Sequence, residues 1–247
     1  FGSSHTVFTK ILPKWGITHT YVSIDDQDSW EAEVNGNTKM LFIETPSNPA
    51  VDLVDMEKAG KLAKKHDLIF NVDNCFATPA IQKPIEFGAD LIIHSATKYL
   101  DGQGRVMGGI VLGKQKLVDE IYTFCRSTGP AISPFNAWVL SKSLETLYLR
   151  MERHAQNALQ LAKYLESHPE VVTVKYPFLL SHPQYEIAQK QMKSGGGIVS
   201  FKVEGGLERG RRFLDAIKMC SLTANLGDTR TIVSHPASTT HAKLTED

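Results

Sequence analysis

The stretch Asp90-Leu91-Ile92-Ile93-His94-Ser95-Ala96-Thr97-Lys98-Tyr99 decides the fold. Three β-favouring apolar residues run into a small polar turn that ends in one lysine, the pattern of a buried strand delivering an amine to the carboxyl edge of a sheet. In an open α/β sheet that edge is where ligands bind. An amine held there among apolar neighbours loses hydration, which lowers its pKa and frees the neutral form that attacks carbonyl carbons. Lys98 is therefore a candidate Schiff-base lysine. The plain alternative is a solvated lysine at a strand end.

Upstream, Leu68-Ile69-Phe70-Asn71-Val72-Asp73-Asn74 is a second apolar run, and it ends in an acid. If the two strands pair in parallel through residues 79–87, Asp73 and Lys98 share one pocket. Pyridoxal phosphate (PLP) needs such a pair. A lysine holds its aldehyde carbon, and a carboxylate keeps its pyridine nitrogen protonated so that the ring withdraws electrons. Ser95 and Thr97 supply hydroxyls for the phosphate ester. Taken alone, Asp73 reads equally well as a strand-end cap.

Val72-Asp73-Asn74, then His94-Ser95-Ala96-Thr97-Lys98-Tyr99, with Glu44-Thr45-Pro46-Ser47-Asn48-Pro49 before them, resemble the motifs of the Cys/Met-metabolism family of fold-type I PLP enzymes. That family includes cystathionine synthases and lyases, methionine gamma-lyase and the homoserine-ester sulfhydrylases. The resemblance runs along all 247 residues, with the three motifs in the family's order and spacing. It implies an α/β fold: a mostly parallel sheet with helices on both faces, plus a smaller C-terminal α+β domain. The expected division is 1–148 for the PLP-binding domain and 149–247 for the C-terminal one, each shortened at its outer end. By the same resemblance Asn48 approaches the ring hydroxyl of PLP, Phe1 stacks on the ring, and Asn225 lies near the substrate's α-carboxylate. Phe1 replaces a tyrosine of the lyases and keeps the stacking face without the phenol. Phe1, Gln103 in Asp101-Gly102-Gln103-Gly104-Arg105, and Asn225 all resemble the succinylhomoserine sulfhydrylase branch. The implied activity is gamma-replacement, in which sulfide and a homoserine ester give homocysteine. A gamma-lyase with the same cofactor is the nearest alternative, and a catalytically silent scaffold or binding subunit is the alternative from another class. The resemblance also implies a homotetramer built from dimers with shared active sites.

Composition agrees with a globular enzyme. Apolar residues make up 42% and charged residues 22%, enough for a substantial core. Lys plus Arg and Asp plus Glu each total 27, so nothing suggests a nucleic-acid or membrane-surface partner. Three widely spaced cysteines point to reduced thiols in a cytoplasmic setting, with Cys75 read as a small buried filler. His235 and His241 could propose a metal, but no cysteine or carboxylate completes a set around them.

Secondary structure follows from periodicity. A helix opens near Ser4, residues 18–22 alternate like a short strand, and Lys39-Met40-Leu41-Phe42-Ile43 is an apolar strand stopped by the Thr45-Pro46 turn. Residues 55–65 form an amphipathic helix, giving a β-α-β rhythm. After Lys98, the glycine-rich turn leads into a strand at 109–112 and does not match a dinucleotide loop. Residues 134–165 read as one long helix or two, with His154 a packing histidine. Strands at 171–176, 197–203 and 231–233 and a helix at 207–217 make up the remainder. Gly195-Gly196-Gly197 reads as a flexible approach to a strand.

Overall fold

The computed structural model describes residues 2–238; Phe1 and His241 lie outside the described residues. Four strands form the main sheet in the order β1-β2-β3-β4: β1 (Met40–Glu44), β2 (Ile69–Asp73), β3 (Leu91–Ser95) and β4 (Gly109–Gly113). The first three are parallel and β4 runs antiparallel to β3. The sheet is therefore mostly parallel with one reversed strand: residues 96–108, between β3 and β4, hold the lysine turn and a glycine-rich loop but no crossover helix to return a parallel strand.

Helix α1 (Gly2–Thr6) opens the chain, and Phe8 from the helical turn that follows sets its ring 5.2 Å from that of Phe42 on β1. Residues 18–22 are irregular, not a strand: 18–21 are exposed, and Val22 packs against the core. Their alternation is real, but no neighbour offers a ladder. The crossover between β1 and β2 is α2 (Met56–Lys65), capped by Asp55, whose carboxylate accepts the N–H groups of Glu57 and Lys58 at 2.9 and 3.1 Å. Its buried face, Met56, Ala59 and Ala63, packs with Phe70, Val72 and Ile92. Phe70 and Val72 are wholly buried, each stabilising the fold by about 2 kcal/mol. Short α3 (Thr78–Ile81) follows β2.

After β4 come α4 (Gln115–Thr128), α5 (Pro134–Leu144) and α6 (Leu147–Glu166), so the expected long helix is two. They carry the chain to β5 (Val171–Lys175), α7 (Tyr185–Gln191), β6 (Ser200–Val203), α8 (Gly206–Ala216) and the short parallel pair β7 (Ser221–Leu222) and β8 (Ile232–Val233). The triple glycine is closely packed: a Cβ on Gly195 would stand 2.5 Å from the Tyr176 ring, and one on Gly197 2.7 Å from the Tyr99 hydroxyl.

A buried amide network ties these later elements to the main sheet. Asn74, just past β2, and Gln82 exchange hydrogen bonds, Gln82 Nε2 also donates to the Thr45 carbonyl, and Gln191 on α7 donates to Gln82 Oε1 and to the Val54 carbonyl. Gln191 in turn accepts the N–H of Met56 at 3.2 Å. No helix among the described residues is long and apolar enough to cross a membrane.

Candidate active site

Register sets the site. Glu44 stands opposite Asp73, and Asp73 opposite Ile93, two residues before Ser95. Paired residues of a parallel ladder share a face, so Glu44, Asp73 and Ser95 lie on one face at the carboxyl edge. Asp73 accepts the N–H of Cys75 at 3.0 Å, and no cation pairs with it among the described residues. Burial is the leading reason that the Glu44 carboxyl is raised above its ordinary value, and the Asp73 charge adds to it.

The turn after β3 presents Lys98. Residues 96–100 make one wide helical turn, inside which Lys98 leaves helical dihedrals at φ −90°, ψ −130°. Half-buried, its amine is held below the ordinary lysine value by desolvation. It donates to Asn225 Oδ1 at 2.5 Å. That asparagine comes from the far end of the chain, on a segment docked by backbone contact: Gly227 lies against Lys98 and Tyr99, and the Thr229 N–H donates to the Gly102 carbonyl at 2.9 Å.

The other sequence candidates fall variously. The Ser95 hydroxyl makes no hydrogen bond among the described residues, whereas Thr97 Oγ1 accepts the Gly108 N–H at 3.1 Å and so fastens the lysine turn to the start of β4. Asn48 donates its N–H to Glu44 Oε1 at 3.0 Å, which folds the turn after β1 back on its strand end; no hydrogen bond joins its side chain to Asp73 or Lys98. Gln103 is exposed and makes no hydrogen bond among the described residues. Arg105, in the same turn, holds buried Asp101, its guanidinium 3.0 Å from the carboxylate. His154 packs edge-on against Tyr99, 5.4 Å between ring centroids. Phe1 lies outside the described residues.

Two groups escaped the sequence reading. Cys75 is no fully buried filler: it is half-buried, and its sulfur accepts the N–H of Ser95. His94, 4% exposed on the opposite face of β3, has its pKa lowered to about 4, chiefly by burial. The Asp-x-Cys spacing could have signalled the first, because an aspartate readily accepts the N–H two residues on.

A carboxylate and a desolvated lysine at level strand ends of a parallel sheet define the ligand edge of a fold-type I PLP-dependent enzyme. Cystathionine gamma-lyase from Lactobacillus plantarum, solved with L-serine, matches this structure with a TM-score of 0.94 at 34% identity, covering 99% of this chain and 64% of that one. The chain belongs to the Cys/Met metabolism PLP-dependent enzyme family, whose model it matches over residues 1–247. It is 47% identical over 247 residues to the O-succinylhomoserine sulfhydrylase of Pseudomonas aeruginosa, covering 100% of this chain and 61% of the relative. It is 41% identical over 250 residues to the L-methionine gamma-lyase of Porphyromonas gingivalis, covering 100% and 63%. The chain thus spans under two thirds of the length of these relatives.

The residues present fit PLP. The lysine amine is desolvated, the neighbouring carboxylate has no cation partner, and the Ser95 hydroxyl is unengaged. Asn71, two residues before Asp73 on the same face of β2, has a buried Oδ1 without a hydrogen-bond partner, as a site shaped for a polar ligand leaves behind.

Proposed function

We propose that the chain is part of a PLP-dependent gamma-replacement enzyme that converts O-succinylhomoserine and sulfide into homocysteine and succinate. The observation that carries the reading is the hydrogen bond from Lys98 to Asn225 Oδ1, made by the turn that follows β3 while Asp73 ends the neighbouring β2. The 47% identity to a sulfhydrylase supports the choice of reaction.

When bound, PLP supplies an electron sink for the charge left as a proton leaves the substrate's α-carbon. Lys98 would hold its aldehyde carbon, Asp73 its ring nitrogen, Ser95 and Thr97 its phosphate, and Asn48 would approach its ring hydroxyl; Phe1 offers a stacking face. With substrate bound, the free Lys98 amine would take a proton at Cα and then one at Cβ. Its lowered pKa keeps more of it neutral and ready to accept the first of these. Asn225 is an uncharged acceptor, so it directs the amine without fixing it as ammonium, and it orients the substrate's α-carboxylate. Succinate would leave from Cγ before hydrosulfide adds there, and the Lys98 ammonium would give back the Cβ and then the Cα proton, so that the overall change is succinate for sulfur. A homotetramer built from dimers is the assembly we assign. The exposed pair Phe135 and Trp138, with Tyr148 and Leu149 nearby in sequence, supports burial against another copy.

The likeness to L-methionine gamma-lyase keeps elimination as the second reading. Full-length enzyme given sulfide is expected to use O-succinylhomoserine at a clearly higher kcat/KM than O-acetylhomoserine, with little 2-oxobutanoate. Lys98→Ala should lose turnover by several powers of ten. If methionine gives 2-oxobutanoate as the main product, the protein is a lyase. Near-normal activity of Lys98→Ala would remove the lysine from the chemistry altogether.

A further inference from the structure

The turn that presents Lys98 draws part of its hydrogen bonding from a distant helix. The carbonyls of Ala96 and Lys98 accept the N–H groups of Asp101 and Gly102, at 3.0 and 2.9 Å. Those of Tyr99 and Leu100 are met by Arg150 of α6, which donates to the first from Nη1 at 2.6 Å and to the second from Nη2 at 3.4 Å. The same guanidinium also reaches the Ser143 carbonyl at 3.0 Å and the Thr146 hydroxyl at 3.1 Å, where α5 passes into α6. All four acceptors are uncharged. A cation in the first turn of a helix meets the unfavourable end of the dipole, so α6 itself has no use for one there. Gly102, with φ +75°, lies directly against the arginine head, and a Cβ on it would overlap Nη1. The Gly102 carbonyl in turn accepts the N–H of Thr229, from the segment that carries Asn225. Fastening α6 to the sheet does not require this arrangement: Leu147 and Met151 already pack in one buried cluster with Tyr99 and Leu100. What the arginine adds to that packing is direction, because its planar fork fixes where the carbonyls point.

We propose that Arg150 is a positioning residue for Lys98: by holding the Tyr99 and Leu100 carbonyls and backing Gly102, its guanidinium fixes the turn in which Lys98 leaves helical dihedrals, and with it the direction of the amine that holds PLP. The proposal rests on the reading of Lys98 as the PLP lysine. Removing the guanidinium leaves two carbonyls beside the lysine without their donor, and the turn relaxes toward whatever else can satisfy them. Gly102→Ala perturbs the same contact from the other side, since it keeps the arginine and drives its head off the carbonyls.

The test uses full-length holoenzyme and reads the circular dichroism of the absorption band of bound PLP, which reports how the lysine holds the ring, alongside kcat, KM and thermal melts. Arg150→Ala should alter that dichroism and lower kcat roughly tenfold to a hundredfold, with KM moving by less than about threefold. Guanidinium ion at millimolar concentration should return part of both, since it restores the donors and nothing else. Gly102→Ala should change the dichroism in the same sense, and its effect should shrink in the Arg150→Ala background, because the two act through one contact. Wild-type dichroism in both single variants, with only the melt lowered, overturns the proposal, for that is what fastening of α6 alone would give. A loss in Arg150→Ala that guanidinium does not mend and Gly102→Ala does not share overturns it too. If Arg150→Ala fails to load PLP, Gly102→Ala decides alone, and wild-type dichroism there counts against the proposal. Borohydride reduction and peptide mapping of the wild type separate the underlying reading: PLP fixed on another lysine would show that Lys98 is not the cofactor's lysine, whatever Arg150 does.

Discussion

Replacing Gly227 with alanine tests whether Lys98 depends on a segment from the far end of the chain. Gly227 is buried with φ +81°, and a Cβ there would stand 2.5 Å from Tyr99 N, 2.7 Å from Lys98 C and 2.9 Å from Lys98 Cα. Those are backbone atoms and cannot rotate aside. The left-handed conformation alone costs a non-glycine residue about 1 kcal/mol. Relieving a backbone overlap of half an ångström or more costs about 1–3 kcal/mol further. The least demanding relief is for the segment to lift, which breaks the Lys98–Asn225 hydrogen bond and the one from Thr229 to Gly102. A total of about 2–4 kcal/mol corresponds to a fall in kcat/KM of roughly 30- to 1,000-fold. Gly129→Ala is the control. That residue also has positive φ, +99°, yet nothing lies within 4 Å of a Cβ, so only the conformational strain applies. Steady-state kinetics with the full-length enzyme, alongside thermal melts, make the comparison. If both variants lose similar stability and their kcat/KM values agree within about threefold, the docking argument is wrong.

His94 should make stability depend on pH. Its folded pKa, lowered to about 4 chiefly by burial while the Asp73 charge works the other way, lies below the ordinary 6.5. As pH falls the unfolded chain therefore takes the proton first, and the His94 contribution, whole above pH 6.5, is lost by roughly 3 kcal/mol on approaching pH 4. Urea unfolding at pH 7 and pH 4.5 should show a smaller loss in His94→Leu than in wild type; equal losses would rule His94 out. Asp101, 1% exposed, accepts the N–H of Arg105 at 2.6 Å and pairs with its guanidinium. Asp101→Ala strands that N–H, while the arginine head, 43% exposed, can turn to water, so we expect a loss of about 2–3 kcal/mol, read by urea unfolding. A loss under about 1 kcal/mol would mean that the turn is held by other contacts.

The main sheet could be read from the sequence because its strands are short apolar runs that each end in chemistry: Glu44, Asp73 and Ser95 stop ladders and face the ligand edge at once. Helix α2 was equally plain, since Asp55 caps a strongly amphipathic segment. Helix α4 was missed. Its apolar residues Leu117, Val118, Ile121 and Cys125 do recur at helical spacing, although none of its residues is buried in the structure. Residues 18–22 alternate as well as many strands do, and only the lack of a partner leaves them irregular. In the site, Lys98 and Asp73 were legible as residue types at strand ends, and Asn225 only through a family resemblance. The Asp-x-Cys spacing hints at the Cys75 N–H bond to Asp73, but the docking of Gly227 and the N–H that the Cys75 sulfur accepts were not legible, because a backbone against another backbone and a sulfur bonded across strands leave no mark in spacing or composition. Thr97 shows the opposite limit: a hydroxyl in the right motif, already engaged with Gly108.

The amide network of Asn74, Gln82 and Gln191 bears on how the molecule can move. Its hydrogen bonds are buried and interlocked, so no member can swing away without stranding the others in a dry interior. The end of β2 and α7 must therefore travel as one body. The strip around residues 223–230 is joined to the lysine turn by Asn225, Thr229 and one glycine contact, so it can separate from the turn without breaking the amide network. The site is in that sense one-sided: the strand end with its carboxylate is locked into a buried network, and the wall that touches the lysine is held by few contacts.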